Sequence, residues 1–187
     1  ENCIPVIDLW RILVTHHASQ AYFSGVDSGI QIMLAIVSKL KQGPPVVLSV
    51  FFKMLSNMLI HSNNQTGFIK AKDMILTAIQ LVNPTDAKVI GLVANFIMNC
   101  SSVLDTIPLV PEDFTKKMVE LIGTLAKTAN VDQETGIKLA IGLGNFLTLK
   151  SKDSQEGKQY IDQVLSKIPD TQDPTVKSIA DGLKLIK

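Results

Sequence analysis

Cysteine is nearly missing from this sequence, with Cys3 and Cys100 the two residues in 187. No histidine or further cysteine clusters around either, which excludes a disulfide framework and a zinc site as the organising device. A reducing compartment is expected. Aromatic residues are also few, at 5% with a single Trp. That scarcity argues against a β-sandwich. Neither sign of charge dominates: 18 basic side chains face 17 acidic ones, for a net charge of +1. The balance excludes a basic nucleic-acid domain and an acidic disordered tail. No stretch of about 20 residues is free of polar breaks, so neither a membrane span nor a signal peptide is expected. The chain opens on Glu1 rather than Met and is read as a piece of something longer. No Gly-rich loop follows a strand, and no nucleophile, base and orienting group come together. An enzyme, a cofactor and a metal are therefore not expected.

What is present is apolar. Hydrophobic residues make up 46% and charged ones 19%. A chain of this size buries roughly 70% of its unfolded surface, and one domain spanning 1–187 is expected. Helical spacing recurs nearly everywhere. Ile4, Ile7, Leu9, Trp10, Leu13 and Val14 fit a largely buried helix. Asp27 or Ser28 caps a second, running through Met33 to Leu40 and stopped by Gly43-Pro44-Pro45. A third is expected over 46–60, broken by His61-Ser62-Asn63-Asn64, and a fourth over 68–82. Thr85 or Asp86 caps a fifth that reaches about Val103, and 105–111 is a linker. Further helices are expected over 112–128, 132–149, 155–168 and from 175 to the end. No segment alternates with period two, so the fold class is all-α.

An internal period organises these helices. Arg11, Lys53, Asn95, Lys138 and Ala180 fall at steps of 42, 42, 43 and 42 along alternate helices. One turn later come Thr15, Asn57, Asn99, Gly142 and Lys184. The intervening helices repeat as well, through Met33, Met74, Met118 and Tyr160. Helical pairs at a period of about 42 are the signature of an armadillo or HEAT-like solenoid, whose layers bury their apolar faces by stacking.

That register places polar residues in a column. Residues four apart share a helix face, so Lys53 joins Asn57 and Asn95 joins Asn99. Arg11, Lys53, Asn57, Asn95, Asn99, Lys138 and Asn145 could line one groove. Asn amides both donate and accept and can hold an extended peptide by its backbone. Lys and Arg add attraction for carboxylates. The plainer reading is that any solenoid has a solvated face. Arg11, the sole Arg in the chain, weighs towards the groove.

Other features are read as structural. His16-His17 closes a helix, where a histidine favours the dipole, and His61 does likewise. Gly142-Leu143-Gly144 lies within a helix and allows close packing. Asn64-Gln65-Thr66 and Asn99-Cys100-Ser101 match a glycosylation sequon by chance. The methionine series is core.

The register also exposes a resemblance. Ile7-Asp8-Leu9-Trp10-Arg11-Ile12-Leu13-Val14-Thr15-His16, followed by Phe23, resembles the opening helix of the armadillo core of PUL domains. Phe52-Lys53-Met54-Leu55-Ser56-Asn57 is similar to that family's next inner helix. Ala94-Asn95-Phe96-Ile97-Met98-Asn99-Cys100-Ser101 resembles the third, Glu134 to Gly144 the fourth, and Val176 to Ile186 the terminal cap. The similarity covers essentially the whole chain. It departs from the family in lacking a further segment ahead of the first armadillo helix, and in carrying Lys at 53 and 138 where Arg is also found.

The resemblance implies a non-catalytic peptide-binding module of ubiquitin-dependent protein turnover, working in the cytoplasm and also the nucleus. The implied partner is the acidic, extended C-terminal tail of an AAA unfoldase of the valosin-containing-protein type. Carried over by position, Arg11, Lys53, Asn57, Asn99 and Lys138 become the contacts. No nucleic acid or membrane partner is implied, and the isolated domain is expected to be a monomer. The alternative is a generic helical-repeat interaction scaffold attached to a peptidase or thioredoxin module.

Overall fold

Helices account for all the regular structure in the described residues, and no strand occurs among them. The structure is a computed structural model, and it describes residues 3–24, 28–40, 43–104, 111–128, 131–150, 155–170 and 172–186. Two compact units divide the chain, Glu1–Val82 and Asn83–Lys187. Asp27 and the linker over 105–110 lie outside the described residues.

The first unit holds α1 (Ile4–Leu13), α2 (Ser19–Ser24), α3 (Ser28–Leu40), α4 (Pro45–Met58), α5 (Ser62–Lys70) and α6 (Lys72–Ile79). Pro5 and Pro45 sit in the first turns of α1 and α4, where a fixed φ and a missing N–H do no harm. The packing is ordered: α1 lies against α4, α2 against α5 and α3 against α6. Between these layers Ile7, Met33, Phe51, Phe52, Leu55, Met58, Phe68 and Ile75 are almost fully buried.

Two departures from the expected helices fall here. The helix expected over 68–82 begins at Ser62, inside the segment read as a break, and is divided at Ala71. Ala71 adopts φ −88° and ψ 7°, which interrupts the ladder and lets α5 and α6 follow different partners. The apolar spacing of Phe68, Ala71, Ile75 and Ala78 runs through the division, so periodicity alone does not reveal it. The second departure is α2, whose six residues are too short to show a period.

The second unit holds α7 (Ala87–Leu104), α8 (Glu112–Thr128), α9 (Gln133–Lys150), α10 (Gln155–Lys158), α11 (Ile161–Leu165) and α12 (Pro174–Ile186). The helix expected over 155–168 is thus two short pieces, parted at Gln159–Tyr160. Aspartates start three of these helices. The Asp86 carboxylate accepts from Val89 N, Asp132 from Thr135 N and Asp173 from Thr175 N, each satisfying an N–H that the first turn leaves without a partner. By length and hydropathy α7 could cross a bilayer, the one such helix among the described residues. Its Val89, Ile90, Val93, Phe96 and Ile97 are instead buried.

At the centre of this unit α9 lies between α7, α8 and α12. Small residues set its distance from α7, as the Gly142-Leu143-Gly144 spacing predicts. A Cβ on Gly142 would come 2.5 Å from Ile97 Cγ2. Gly123 is covered in the same way by the Tyr160 ring, and Gly157 by Leu147. Met33 and Met118 of the methionine series are buried, and Met74 is half-buried.

These contacts make opposite forecasts for two helical glycines. Gly142→Val overpacks the α7–α9 contact and should cost about 1–3 kcal/mol. Gly182, in α12, has nothing within 4 Å of where a Cβ would stand. Gly182→Ala should stabilise by about 0.5–1 kcal/mol. Urea melts of the two variants check both signs.

Candidate peptide-binding faces

Three charges meet on the first unit. Arg11 Nε donates to Asp8 Oδ1 at 2.7 Å, one turn apart on α1. The Asp8 carboxyl is held below its ordinary 3.8, first by that hydrogen bond and then by the charges of Arg11 and of Lys53 on α4. Lys53 therefore acts across the α1–α4 contact on the same exposed patch. Its side chain is exposed, and that of Arg11 is 31% exposed. Such a pair contributes little to stability, so its groups stay available to a ligand.

Asn57 stands one turn beyond Lys53 and works between helices. Its Nδ2 donates to the Arg11 carbonyl at 2.7 Å. Two residues that periodicity does not single out complete this contact. Asn64 Nδ2 donates to the Val14 carbonyl and to Ser19 Oγ, both at 3.0 Å. His61 Nε2 lies 2.8 Å from the Thr15 carbonyl; a carbonyl only accepts, so the ring nitrogen donates. The Arg11 carbonyl of α1 and the Val14 and Thr15 carbonyls of the turn after it are thus closed by side chains from 46 to 50 residues further on. The signal was present in the sequence as a cluster of short amides and a histidine after α4. Asn64 is fully buried and committed in this way, which agrees with reading its sequon as chance.

The second unit carries Asn95, Asn99, Lys138 and Asn145. Asn95 and Asn99 are half-buried on one face of α7. Neither side-chain amide has a hydrogen-bond partner among the described residues, so both can still donate and accept. Lys138 Nζ is 2.6 Å from Glu134 Oε1, one turn earlier on α9. The Lys138 side chain is 22% exposed, against 78% for its acid. Asp132 is held below its ordinary 3.8 by the Thr135 backbone N–H, then by the Thr135 hydroxyl and the charge of Lys138. Asn145 bridges helices as Asn57 does: its Nδ2 donates to Ser101 Oγ at 3.1 Å and Ser102 Oγ at 3.3 Å.

His16 and His17 are exposed just beyond α1, and His16 Nδ1 accepts from Ala18 N. Among the described residues no three His, Cys, Asp or Glu side chains gather. Cys3 and Cys100 are free thiols, and burial pushes the Cys100 thiol far up. A depression of about 300 Å³ opens beside α12, between Leu165, Ile168, Val176 and Lys184. Lys184 there is already paired with Asp181 at 3.1 Å.

Two measurements test these assignments. Asn64→Ala should cost about 1–3 kcal/mol, because the buried Val14 carbonyl loses the nearer of its two side-chain donors and keeps only Ser19 Oγ; thermal melting reads it. An NMR titration should find Asp8 ionising below 3.8. Arg11→Met should raise that value more than Lys53→Met does. A carboxyl depressed by folding stabilises the fold above its unfolded value, and that help fades as pH falls through the depressed one. Stability should therefore fall with acid below about pH 4, and less steeply in the Arg11 variant.

No curated protein matches the chain. The family model for the PUL domain matches residues 1–181. PUL domains are helical protein-interaction domains, in keeping with two helical units whose exposed faces carry charges and amides. On that match this chain belongs to the PUL domain family.

Proposed function

We propose that this domain is a non-catalytic peptide-binding module that holds the acidic C-terminal tail of a valosin-containing-protein type AAA unfoldase. It would do so in ubiquitin-dependent protein turnover, as a monomer, in the cytoplasm and the nucleus. The same reading takes its helices as a solenoid repeat of about 42 residues. The observation that carries it is the state of the cations. Lys53 is exposed, while Arg11 and Lys138 are each paired with an acid one turn away on their own helix. Exposed pairs of this kind are weak, so carboxylates of a ligand can replace or join them. The amides of Asn95 and Asn99 add donors and acceptors for an extended backbone. Asn57 and Asn145 serve the reading differently, by fixing the helices that carry the cations.

Charge reversal tests the proposal. Lys53→Glu and Lys138→Glu should each weaken binding of an acidic tail peptide by on the order of 2–5 kcal/mol where the pair is desolvated. Thermal stability should move by under about 0.5 kcal/mol. Lys116→Glu with Lys117→Glu, on α8, is the matched control. Calorimetry should also show weaker binding at 1 M salt than at 0.1 M, as the Debye length falls from about 10 Å to about 3 Å. Full binding by the Lys53 and Lys138 variants would reject the site. Equal loss in the control would assign the interaction to net charge.

A further inference from the structure

A carboxylate already occupies one of the cations of the second unit. Lys138 Nζ and Glu134 Oε1 stand 2.6 Å apart, at the four-residue spacing that lets Glu support Lys on a helix. Glu134 lies in the first turn of α9, where a carboxylate also meets the positive end of the helix dipole. Both reasons are local, and neither says which partner is held and which is free to leave. Exposure settles it. The Lys138 side chain is 22% exposed and that of Glu134 is 78% exposed. Two other pairs one turn apart run the opposite way, Lys117 with Glu120 at 56% and 40%, and Lys184 with Asp181 at 62% and 52%. There the lysine is the looser partner. On α9 it is the acid.

The α7–α9 contact accounts for the enclosure. A Cβ on Gly91 of α7 would stand 3.5 Å from Thr135 Oγ1 of α9, and one on Gly142 of α9 would meet Ile97 of α7. One turn on from Gly91 and from Thr135 come Asn95 and Lys138, on neighbouring turns of the same seam. The nearby acids are not equivalent. Asp132 feels the charge of Lys138, but its carboxylate accepts from Thr135 N at the start of α9, and a capping carboxylate is committed. Glu134 Oε1 accepts from the Lys138 ammonium instead. Arg11 offers a contrast. Its Nε is the atom that donates to Asp8, and a guanidinium has five donors, so a ligand carboxylate can reach Arg11 without displacing Asp8. Lysine is a compact point charge.

We propose that Glu134 is a displaceable competitor at Lys138: its carboxylate occupies the place that a carboxylate of a bound peptide takes, and it is released to solvent when the peptide binds. The inference rests on the reading of this domain as a binder of acidic tails, and it adds a selectivity filter to that reading. A small acid exchanges one weak ion pair for another and gains little. An extended peptide also brings backbone groups to the Asn95 amide beside Lys138, which makes the exchange favourable.

Calorimetry with the acidic tail peptide on the whole chain tests this. Glu134→Gln keeps the shape of the side chain and removes its charge. It should tighten binding about two- to fivefold, the range over which exposed ion pairs count. A merely structural role would lower thermal stability and leave affinity alone. Asp8→Asn should tighten binding less. Glu120→Gln and Asp181→Asn make the same change of net charge at the opposite kind of pair and should leave affinity unchanged. In the wild type, the carboxyl carbon NMR signal of Glu134 should move on peptide addition towards its position in the Lys138→Met variant, and acetate at matched carboxylate concentration should not move it. Unchanged or weaker binding by Glu134→Gln overturns the proposal. So does equal tightening by the controls, a Glu134 signal that stays in place while the peptide binds, or one that acetate moves as far. Should Lys138→Glu still abolish binding alongside any of these, the tail reading stands and Glu134 drops out of it. Absence of binding by both the wild type and Glu134→Gln overturns the two together.

Discussion

The end of α1 is closed in part by its own turn, through Val14 N, Thr15 N and His16 N, and in part from a distance. A helix leaves its last carbonyls without partners inside the helix, and α1 stops against a turn rather than a glycine cap. Asn57 supplies a donor to the Arg11 carbonyl of α1, and His61 and Asn64 supply donors to the Thr15 and Val14 carbonyls of the turn that follows. These bonds fix where α4 and α5 lie along α1. The position of α4 in turn brings Lys53 into the field of Asp8 and Arg11. The charged patch is therefore a product of how one helix end is closed. Asn145 and the serines of α7 make a comparable tie in the second unit.

This division of labour explains why amides and cations recur together. Asn57 is short enough to reach a neighbouring backbone carbonyl, and it does so while half-buried. Lys53, one turn earlier, is long and snorkels out to solvent. One face thus carries both a structural fastener and a solvent-facing charge. A peptide-binding reading that treats every amide alike overstates the number of ligand contacts. Asn95 and Asn99, with no side-chain partner among the described residues, are better placed to meet a peptide than Asn57 or Asn145.

Much of the fold was legible because its signals are local. Apolar spacing located α1, α3, α4, α7, α8, α9 and α12. Asp86, one of two capping candidates for α7, marked a helix start through capping, which needs only a carboxylate and the next three residues. The division at Ala71 was not legible, since it depends on α5 and α6 having different partners. α2 was too short to carry a period. Lys53, Arg11 and Lys138 were found as cations at a common register. Their acids were only partly foreseen: Asp8 lies in the opening motif, but Glu134 was read as part of a helix. The commitment of Asn57 to Arg11 was hidden because a long-range hydrogen bond leaves no trace in spacing.

The burial of Cys100 gives the second unit an internal clock. Cys100 on α7 has no solvent access, while Cys3 is partly open in the first unit. A thiolate, not a thiol, attacks alkylating reagents and disulfides, and burial disfavours the thiolate at Cys100. Cys3 would then be modified in the folded molecule, whereas Cys100 would react only when α7 lifts away from its neighbours. The rate at which the second thiol is lost to a reagent would measure how often that core opens, a quantity that equilibrium melting averages away.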